Sequence, residues 1–189
     1  MILTRFIYIY LNTLKLNKNF FANKSNFGEA AIYFAISIVL INSLISIIPN
    51  SAFLDFMGSY FGLGEIQGPS LKIVLIGSII TWIIKSCYIH FIGVIIFPSK
   101  NTNCDFRKTF ILMGLVQTPF IFNILVLDTY MLLLTFVTYI WYSICLIVGI
   151  NIIYNYKNIF KSSLIALGHL LIFFILILSN YNSGSVIPA

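Results

Sequence analysis

Charged residues are scarce in this sequence. Only 11 Lys and Arg and 5 Asp and Glu occur among 189 residues, so that 8% of the chain is charged, whereas an ordinary soluble domain carries about 25%. Hydrophobic residues make up 60% of the chain, and the mean hydropathy is +1.00. Because so few charges cannot cover a surface that faces water, the composition excludes an ordinary soluble domain. It predicts an integral membrane protein with one domain.

Groups for catalysis and metal binding are equally few. The chain has 5 acidic residues, 2 histidines and 3 cysteines. No two carboxylates stand at the helical spacing that general acid–base catalysis would use, and His90 and His169 fall in different apolar segments without a third metal ligand. The cysteines have neither metal nor redox spacing. We therefore predict no enzymatic activity, no cofactor and no bound metal.

Long apolar segments are abundant. A helix needs about 20 mostly apolar residues to cross roughly 30 Å of hydrocarbon, and backbone groups in lipid must be satisfied within the segment. The sequence thus predicts an all-α bundle of five transmembrane helices, the first ended by Pro49 and the second by Pro98. The predicted spans are about 28–48, 71–97, 107–127, 130–150 and 162–179. They form a membrane domain over 28–179, between a segment at 1–27 and a polar tail at 180–189.

The distribution of basic residues orients the predicted bundle. Nine Lys and Arg fall in the N-terminal segment and in the two loops on the same side, while Asp55, Glu65 and Asp128 fall on the other. Cytoplasmic loops are enriched in Lys and Arg, so the N-terminus is predicted in the cytoplasm and the C-terminus outside. The net charge of +6 then predicts contact with anionic lipid headgroups and not with nucleic acid. The candidate cytoplasmic contacts are Lys100, Arg107, Lys108, Lys157 and Lys161.

The N-terminal segment carries a helical apolar pattern. Leu3, Phe6, Ile7, Tyr10 and Leu14 recur at helical spacing. This pattern is typical of an amphipathic helix that lies along the cytoplasmic leaflet. The alternative is a lead-in that packs against the bundle.

Lys85 is the residue that costs most to bury, because it falls near the middle of the second span. Ser78, Thr81 and Tyr88 lie near it around the helix, so the span has a polar stripe that should face other helices. An ionisable group inside a membrane indicates a functional site. The alternative is structural: the lysine lies off-centre, snorkels, or bonds a backbone carbonyl.

The sequence Gln117-Thr118-Pro119 interrupts the third span. Pro119 leaves the carbonyl of Leu115 without its helical donor, and Gln117, Thr118 or Lys85 can supply one. Thr138 and Tyr142 lie on one face of the fourth span. We predict a weakly polar seam, which is a hinge, a permeation path or helix packing. Its members are Ser78, Thr81, Lys85, Tyr88, Gln117, Thr118, Pro119, Thr138 and Tyr142.

Three stretches resemble a known family. The first, at 106–120, is FRKTFILMGLVQTPF, which has a small basic start, a glycine, and a proline soon after it. The second, at 141–150, is WYSICLIVGI, which precedes the basic turn NYKNIFKSSLIALG. The third, at 18–36, is KNFFANKSNFGEAAIYFAI, which leads into the first span. In these features the chain resembles the YIP-domain family of Ypt/Rab-interacting proteins, especially its short prokaryotic-type members. The resemblance implies the five-helix fold and a role in organising membranes. The long cytosolic N-terminal region and Tyr-Gly-Pro-type motifs of eukaryotic members are missing here.

These observations predict a multi-pass scaffold or adaptor of the YIP-domain type that organises membrane or protein partners without catalysis. The alternative is a small transporter or permease component with a polar seam around Lys85 and Gln117. The predicted partners are the lipid bilayer and either another protein or a second copy of the chain. The predicted location is the plasma membrane of a prokaryote, or the ER or Golgi membrane if the chain is eukaryotic.

Overall fold

All the secondary-structure elements in the described part of the chain are helical. The structure is a computed structural model that describes residues 2–61, 70–98, 104–125 and 131–183, and within these ranges it contains no strand. The helices are α1 Ile2–Leu14, α2 Lys18–Ala22, α3 Glu29–Phe61, α4 Leu71–Phe91, α5 Phe106–Leu115, α6 Met131–Ile153 and α7 Ile159–Ser183. A 3-10 turn at Lys24–Phe27 precedes α3, a π-helical turn at Ile92–Ile96 ends α4, and a 3-10 segment at Thr118–Leu125 follows α5.

Helix α5 is the centre of the bundle. It packs against α3, α4 and α6, and every side chain from Ile111 to Val116 is buried. This second half of the helix is buried on all sides, so it has no lipid-facing or water-facing stripe to orient it. Its position therefore depends on how closely its neighbours can approach.

Two glycines allow this close approach. A Cβ atom added to Gly114 of α5 would lie 2.6 Å from the Cβ of Ala35 in α3, and one added to Gly149 of α6 would lie 2.5 Å from Leu112. Small residues let helix backbones approach within membranes. Gly114 and Gly149 thus permit the close contacts of α5 with α3 and α6.

Two described helices are long and apolar enough to cross a membrane, by length and composition: Leu71–Ile96 and Leu133–Ile153. Their outer faces are apolar as well as exposed. On α4 these exposed side chains include Ile73, Ile76, Ile80, Ile83 and Ile84, and on α6 Leu133, Phe136, Val137 and Ile140. Contiguous apolar surface of this kind indicates contact with lipid or with another protein.

The prediction that Pro49 ends the first helix is wrong. Helix α3 continues through Pro49 to Phe61. Proline removes one backbone donor, but a helix can bend past it when the freed carbonyl finds another partner.

The third predicted span is not one α-helix. Helix α5 ends at Leu115, and after a turn at Val116 and Gln117 the chain continues as the 3-10 segment Thr118–Leu125. Pro119 lacks a backbone donor and disfavours the α conformation of the residue before it. The interruption is therefore a change of helix type and not only a kink.

Helix α7 is longer than the predicted fifth span of 162–179. It begins at Ile159, where the side chain of Asn158 accepts a hydrogen bond from the backbone N–H of Phe160, as residues before a helix commonly do. It ends at Ser183, so the first residues of the predicted tail are helical. Among the charged residues used to orient the bundle, Lys100, Glu65 and Asp128 lie outside the described residues.

Helix α1 packs against the bundle. Phe6 contacts Phe34 with ring centroids 5.8 Å apart, Ile9 and Thr13 are buried, and the indole of Trp141 in α6 donates to the carbonyl of Leu14 at 3.2 Å. The packed face is thus offset from the predicted apolar stripe, and Ile7 is 47% exposed. This arrangement favours the lead-in alternative, and contact of the exposed face with lipid stays a prediction.

The close approach of α5 to α3 predicts that Gly114→Ala destabilises the protein by about 1–3 kcal/mol, because the added methyl overlaps the Ala35 backbone as well as its side chain. The same change at Gly77, whose added Cβ meets nothing within 4 Å, should be neutral or stabilising by up to about 1 kcal/mol. Unfolding by SDS in mixed micelles measures both variants. Ala35→Gly should rescue Gly114→Ala in part, and equal effects of the two glycine substitutions would contradict the packing.

Candidate functional site

A partly open cavity of about 590 Å³ lies between α3, α4, the 3-10 segment and α6. Its polar lining comes from all four elements, and the remaining wall is apolar or aromatic. The polar side chains are those of Asn42, Ser43, Ser78, Thr81, Lys85, Gln117, Asn123 and Thr135. A cavity of this size with a few convergent polar groups is typical of sites for small ligands.

The cavity brings together four of the residues that the sequence predicted for a polar seam. Ser78, Thr81 and Lys85 of α4 line it, and Gln117 lines it from the turn after α5. The other five predicted residues do not line it. Pro119 and Thr138 border a second, mainly apolar groove beside the end of α1, Thr118 is buried in the backbone break, and Tyr88 and Tyr142 lie near α7.

Sequence reasoning missed two amides in the wall. Asn42 of α3 donates from Nδ2 to the carbonyl of Gln117 at 2.8 Å, and Asn123 accepts from the Thr138 hydroxyl at 3.0 Å. The signal available was an asparagine within an apolar segment. That signal is weak in this chain because asparagine is frequent throughout it.

Asn42 fixes the geometry of the wall. Its amide is held by the Gln117 carbonyl, while its buried Oδ1 accepts no hydrogen bond from the described residues. A buried polar atom is normally paired with protein or with ordered water. Asn42 therefore holds Gln117 in place at the wall, and its Oδ1 is a buried acceptor.

The backbone break next to the cavity satisfies its own polar groups. The Thr118 hydroxyl donates to the carbonyl of Leu115, and the Gln117 amide donates to the carbonyl of Met113 at 3.2 Å. The prediction that a neighbouring side chain supplies the donor that Leu115 loses is confirmed, with Thr118 as the donor. Irregular backbone can therefore persist here in an apolar environment.

An aromatic pair lies beside the cavity. The rings of Trp82 and Phe110 stack with centroids 3.9 Å apart, and the indole of Trp82 donates to the carbonyl of Phe110 at 3.1 Å. Trp82 lines the cavity and lies one turn before Lys85 on α4. Lys85 and Ile73 are therefore at opposite ends of the lining that α4 contributes.

A second polar cluster lies between α4, α6 and α7. Tyr142 contacts His169 with 3.2 Å between Oη and Nε2, and the ring of Tyr88 lies 6.0 Å from that of His169. His169 and Tyr142 are both buried. The sequence did not predict that His169 joins the predicted seam residues, because α7 lies about 80 residues from α4 and only the fold brings them together.

The opposite end of the bundle holds a third cluster. The Thr109 hydroxyl lies 2.7 Å from that of Tyr154 and 3.2 Å from Nδ1 of His90, and Tyr156 donates to the carbonyl of Gly93 at 2.8 Å. Burial raises the pKa of Tyr156 to about 12 and also raises that of the nearby Cys104 thiol. A nucleophilic cysteine has a lowered pKa, so these neutral groups form a hydrogen-bond network that ties the helix ends together.

This third cluster also positions the predicted cytoplasmic basic residues. It joins the end of α4, the start of α5 and the end of α6, so Arg107, Lys108, Lys157 and Lys161 lie at one end of the bundle. Arg107, Lys157 and Lys161 are exposed, and the ammonium of Lys161 lies 5.9 Å from the centre of the Tyr156 ring. The cavity lies in the other half of the bundle. Within the described ranges, no three His, Cys, Asp or Glu side chains are grouped as metal ligands.

Comparisons with known proteins identify no relative. No protein-family model, no curated protein and no solved structure matches the chain. The resemblance to the YIP-domain family therefore stays a prediction from the sequence motifs.

The backbone break predicts that Thr118→Val costs about 1–3 kcal/mol of unfolding free energy, because the buried Leu115 carbonyl loses its donor while the side chain keeps its shape. Ser37→Ala is the matched control. Ser37 also donates to a carbonyl, that of Tyr33, but within regular α-helix that carbonyl already accepts a backbone N–H. Unfolding in mixed micelles should separate the two variants, and an unchanged Thr118→Val would contradict the assigned role.

Proposed function

We propose that this chain is a five-span membrane protein that admits a small polar solute into the cavity around Lys85, as a small transporter or a component of a permease. The observation that carries the proposal is the convergence of Lys85 with amide and hydroxyl groups from four elements around about 590 Å³ of space. Lipid-facing helices seldom carry such groups, and those that do usually direct them at a solute or ion path.

The helix lengths support five spans. Helices α3, α6 and α7 have 33, 23 and 25 residues, and α4 with its π-helical turn runs from Leu71 to Ile96. The 10 residues of α5 rise roughly 15 Å, and the 8 residues of the 3-10 segment rise roughly 16 Å. Their sum of roughly 31 Å matches a hydrocarbon thickness of about 30 Å.

The charge distribution supports an orientation for the cavity. The exposed bases Arg107, Lys157 and Lys161 occupy one end of the bundle, which the positive-inside rule assigns to the cytoplasm. The cavity then lies toward the outside, with the pair of Trp82 and Phe110 on its cytoplasmic side. A cavity that opens toward the outside is expected of one state of a transporter that works by alternating access.

Cysteine accessibility tests this proposal. In a chain without its own thiols (Cys87→Ser, Cys104→Ser, Cys145→Ala), Ser78→Cys and Thr81→Cys should react with a membrane-impermeant thiol reagent added outside the cell. Ile80→Cys and Ile84→Cys are the controls, because they lie on the same helix but on its exposed apolar face. A thiol in lipid stays protonated, so they should react about tenfold more slowly or less.

Each outcome of this experiment is informative. Labelling of Ser78→Cys only from the cytoplasmic side of inverted vesicles would reverse the orientation. Equal and slow labelling at all four positions would show that water does not reach the cavity, and the transport proposal would fail.

A second candidate function is supported by the basic end of the bundle. There Arg107, Lys157 and Lys161 are exposed, with Asp105 as an exposed acid at the start of α5, and the excess of basic side chains is suited to anionic headgroups or to an acidic protein. This end of the bundle, together with the sequence resemblance, supports the adaptor function of the YIP-domain type. Plasma-membrane residence in a prokaryote belongs to the same proposal.

Cross-linking in cells, followed by purification in mild detergent and mass spectrometry, tests the adaptor function. The native chain should recover a stoichiometric protein partner, and replacement of all three bases by glutamine should reduce its yield about 100-fold, since each exposed charge near an anionic surface contributes about 1 kcal/mol. Lys72→Gln is the control, because this exposed base lies at the start of α4. Recovery of the chain alone, or equal yields from all variants, would contradict the adaptor function.

A further inference from the structure

The cavity has one charged side chain in its described lining, that of Lys85, with hydroxyl groups beside it on α4. Lys85 supplies an ammonium group, and among the described residues that line the space none is Asp or Glu. Ser78, Thr81 and Lys85 follow each other at spacings of three and four residues, so their side chains share one face of α4. Such a row of donors around a cation is suited to a carboxylate or another small anion.

The rest of the wall is suited to an apolar group. Val39, Ile73, Val74 and Phe120 line the same space, and they would pack against the apolar body of a solute. An inorganic anion would leave these side chains without contacts, whereas an organic anion would use both kinds of wall. The volume of about 590 Å³ accommodates an organic acid of a few to a dozen heavy atoms.

The position of Lys85 sets the direction in which such a solute lies. The lysine lies one turn after Trp82, at the opposite end of the α4 lining from Ile73. Protein surroundings screen its charge less than bulk water does. An anionic head would therefore lie at the Lys85 end, and its apolar body would extend toward Ile73.

We propose that the cavity binds a small organic carboxylate, with the carboxylate on Lys85, Ser78 and Thr81 and the apolar body against Val74 and Phe120. This assignment rests on the proposed function, because it names the solute class that the same cavity admits. It makes Lys85 a binding residue that selects anions over cations.

The first test measures the sign of the charge in the cavity. Thr81→Cys in the thiol-free chain is labelled with a negatively charged and with a positively charged methanethiosulfonate, and the ratio of the two rates is taken. The reactivity of the thiol itself cancels in this ratio. The ratio of the anionic to the cationic rate should be greater than one. In Lys85→Gln this ratio should fall about tenfold or more, because one unit charge within a few ångströms is removed. Lys85→Arg should keep the ratio, and Lys72→Gln should leave it unchanged.

The second test uses three solutes of one size. Propionate, propionamide and propylammonium carry a negative, a neutral and a positive head on similar apolar bodies. Propionate should slow the labelling of Ser78→Cys, and the other two solutes should have no effect. In Lys85→Gln, about 10- to 100-fold more propionate should be needed for the same protection, because a charged hydrogen bond is lost.

The outcomes separate the two proposals. If neither charged reagent labels Thr81→Cys, the cavity is not reached by water and the proposed function fails together with the carboxylate site. If both reagents label Thr81→Cys equally, or if propionamide protects as well as propionate, the carboxylate assignment is overturned. The proposed function is then unaffected, because water still reaches the cavity. Protection by inorganic phosphate with none by propionate would overturn it too, in favour of an inorganic anion.

Discussion

The interruption of the backbone after Leu115 is the constraint to which the rest of the bundle is fitted. An apolar interior offers no water to the polar groups that a broken helix exposes, so side chains must bind them. Thr118 donates to the carbonyl of Leu115, and Asn42 of α3 donates to that of Gln117. The second bond ties α3 to the break, and the same asparagine then lines the cavity. The polar groups that satisfy the backbone thus also make the interior polar.

Close packing on one side of the break makes room on the other. Gly114 lets α5 approach Ala35 of α3, and Gly149 lets α6 approach Leu112. Farther along, α4 presents Gly77 and Ser78, and the added Cβ of Gly77 would meet no atom within 4 Å. Helix α5 is therefore in close contact with α3 and α6, whereas α4 faces open space at Gly77. This difference in packing leaves room for the cavity, which Gly77 lines.

The two positively charged regions have different surroundings and serve different proposals. Arg107, Lys157 and Lys161 are exposed at one end of the bundle, where water and salt screen their charge. Lys85 lies between helices beside hydroxyl and amide groups, where screening is weaker and a single charge can select a ligand. A transporter and an adaptor are compatible in one chain of this kind, because the two regions lie in opposite halves of the bundle.

The sequence by itself determined the helical class, the apolar segments, and the residues of α4 that line the cavity. Length and composition are enough for the first two, because the cost of burying charge and bare backbone does not depend on neighbours. The 3.6-residue period is enough for Ser78, Thr81 and Lys85, because one helix places them on one face.

Only the tertiary structure decided the outcome at the two prolines. Helix α3 runs through Pro49, whereas α5 ends before Pro119, although each proline removes one donor and crowds the preceding turn. At Pro119, Thr118 and Asn42 supply hydrogen bonds that stabilise the break, and Asn42 comes from 75 residues away in the chain. The same holds for the contact of His169 with Tyr142. Pairings between distant helices depend on how the helices pack, and the local sequence does not encode that packing.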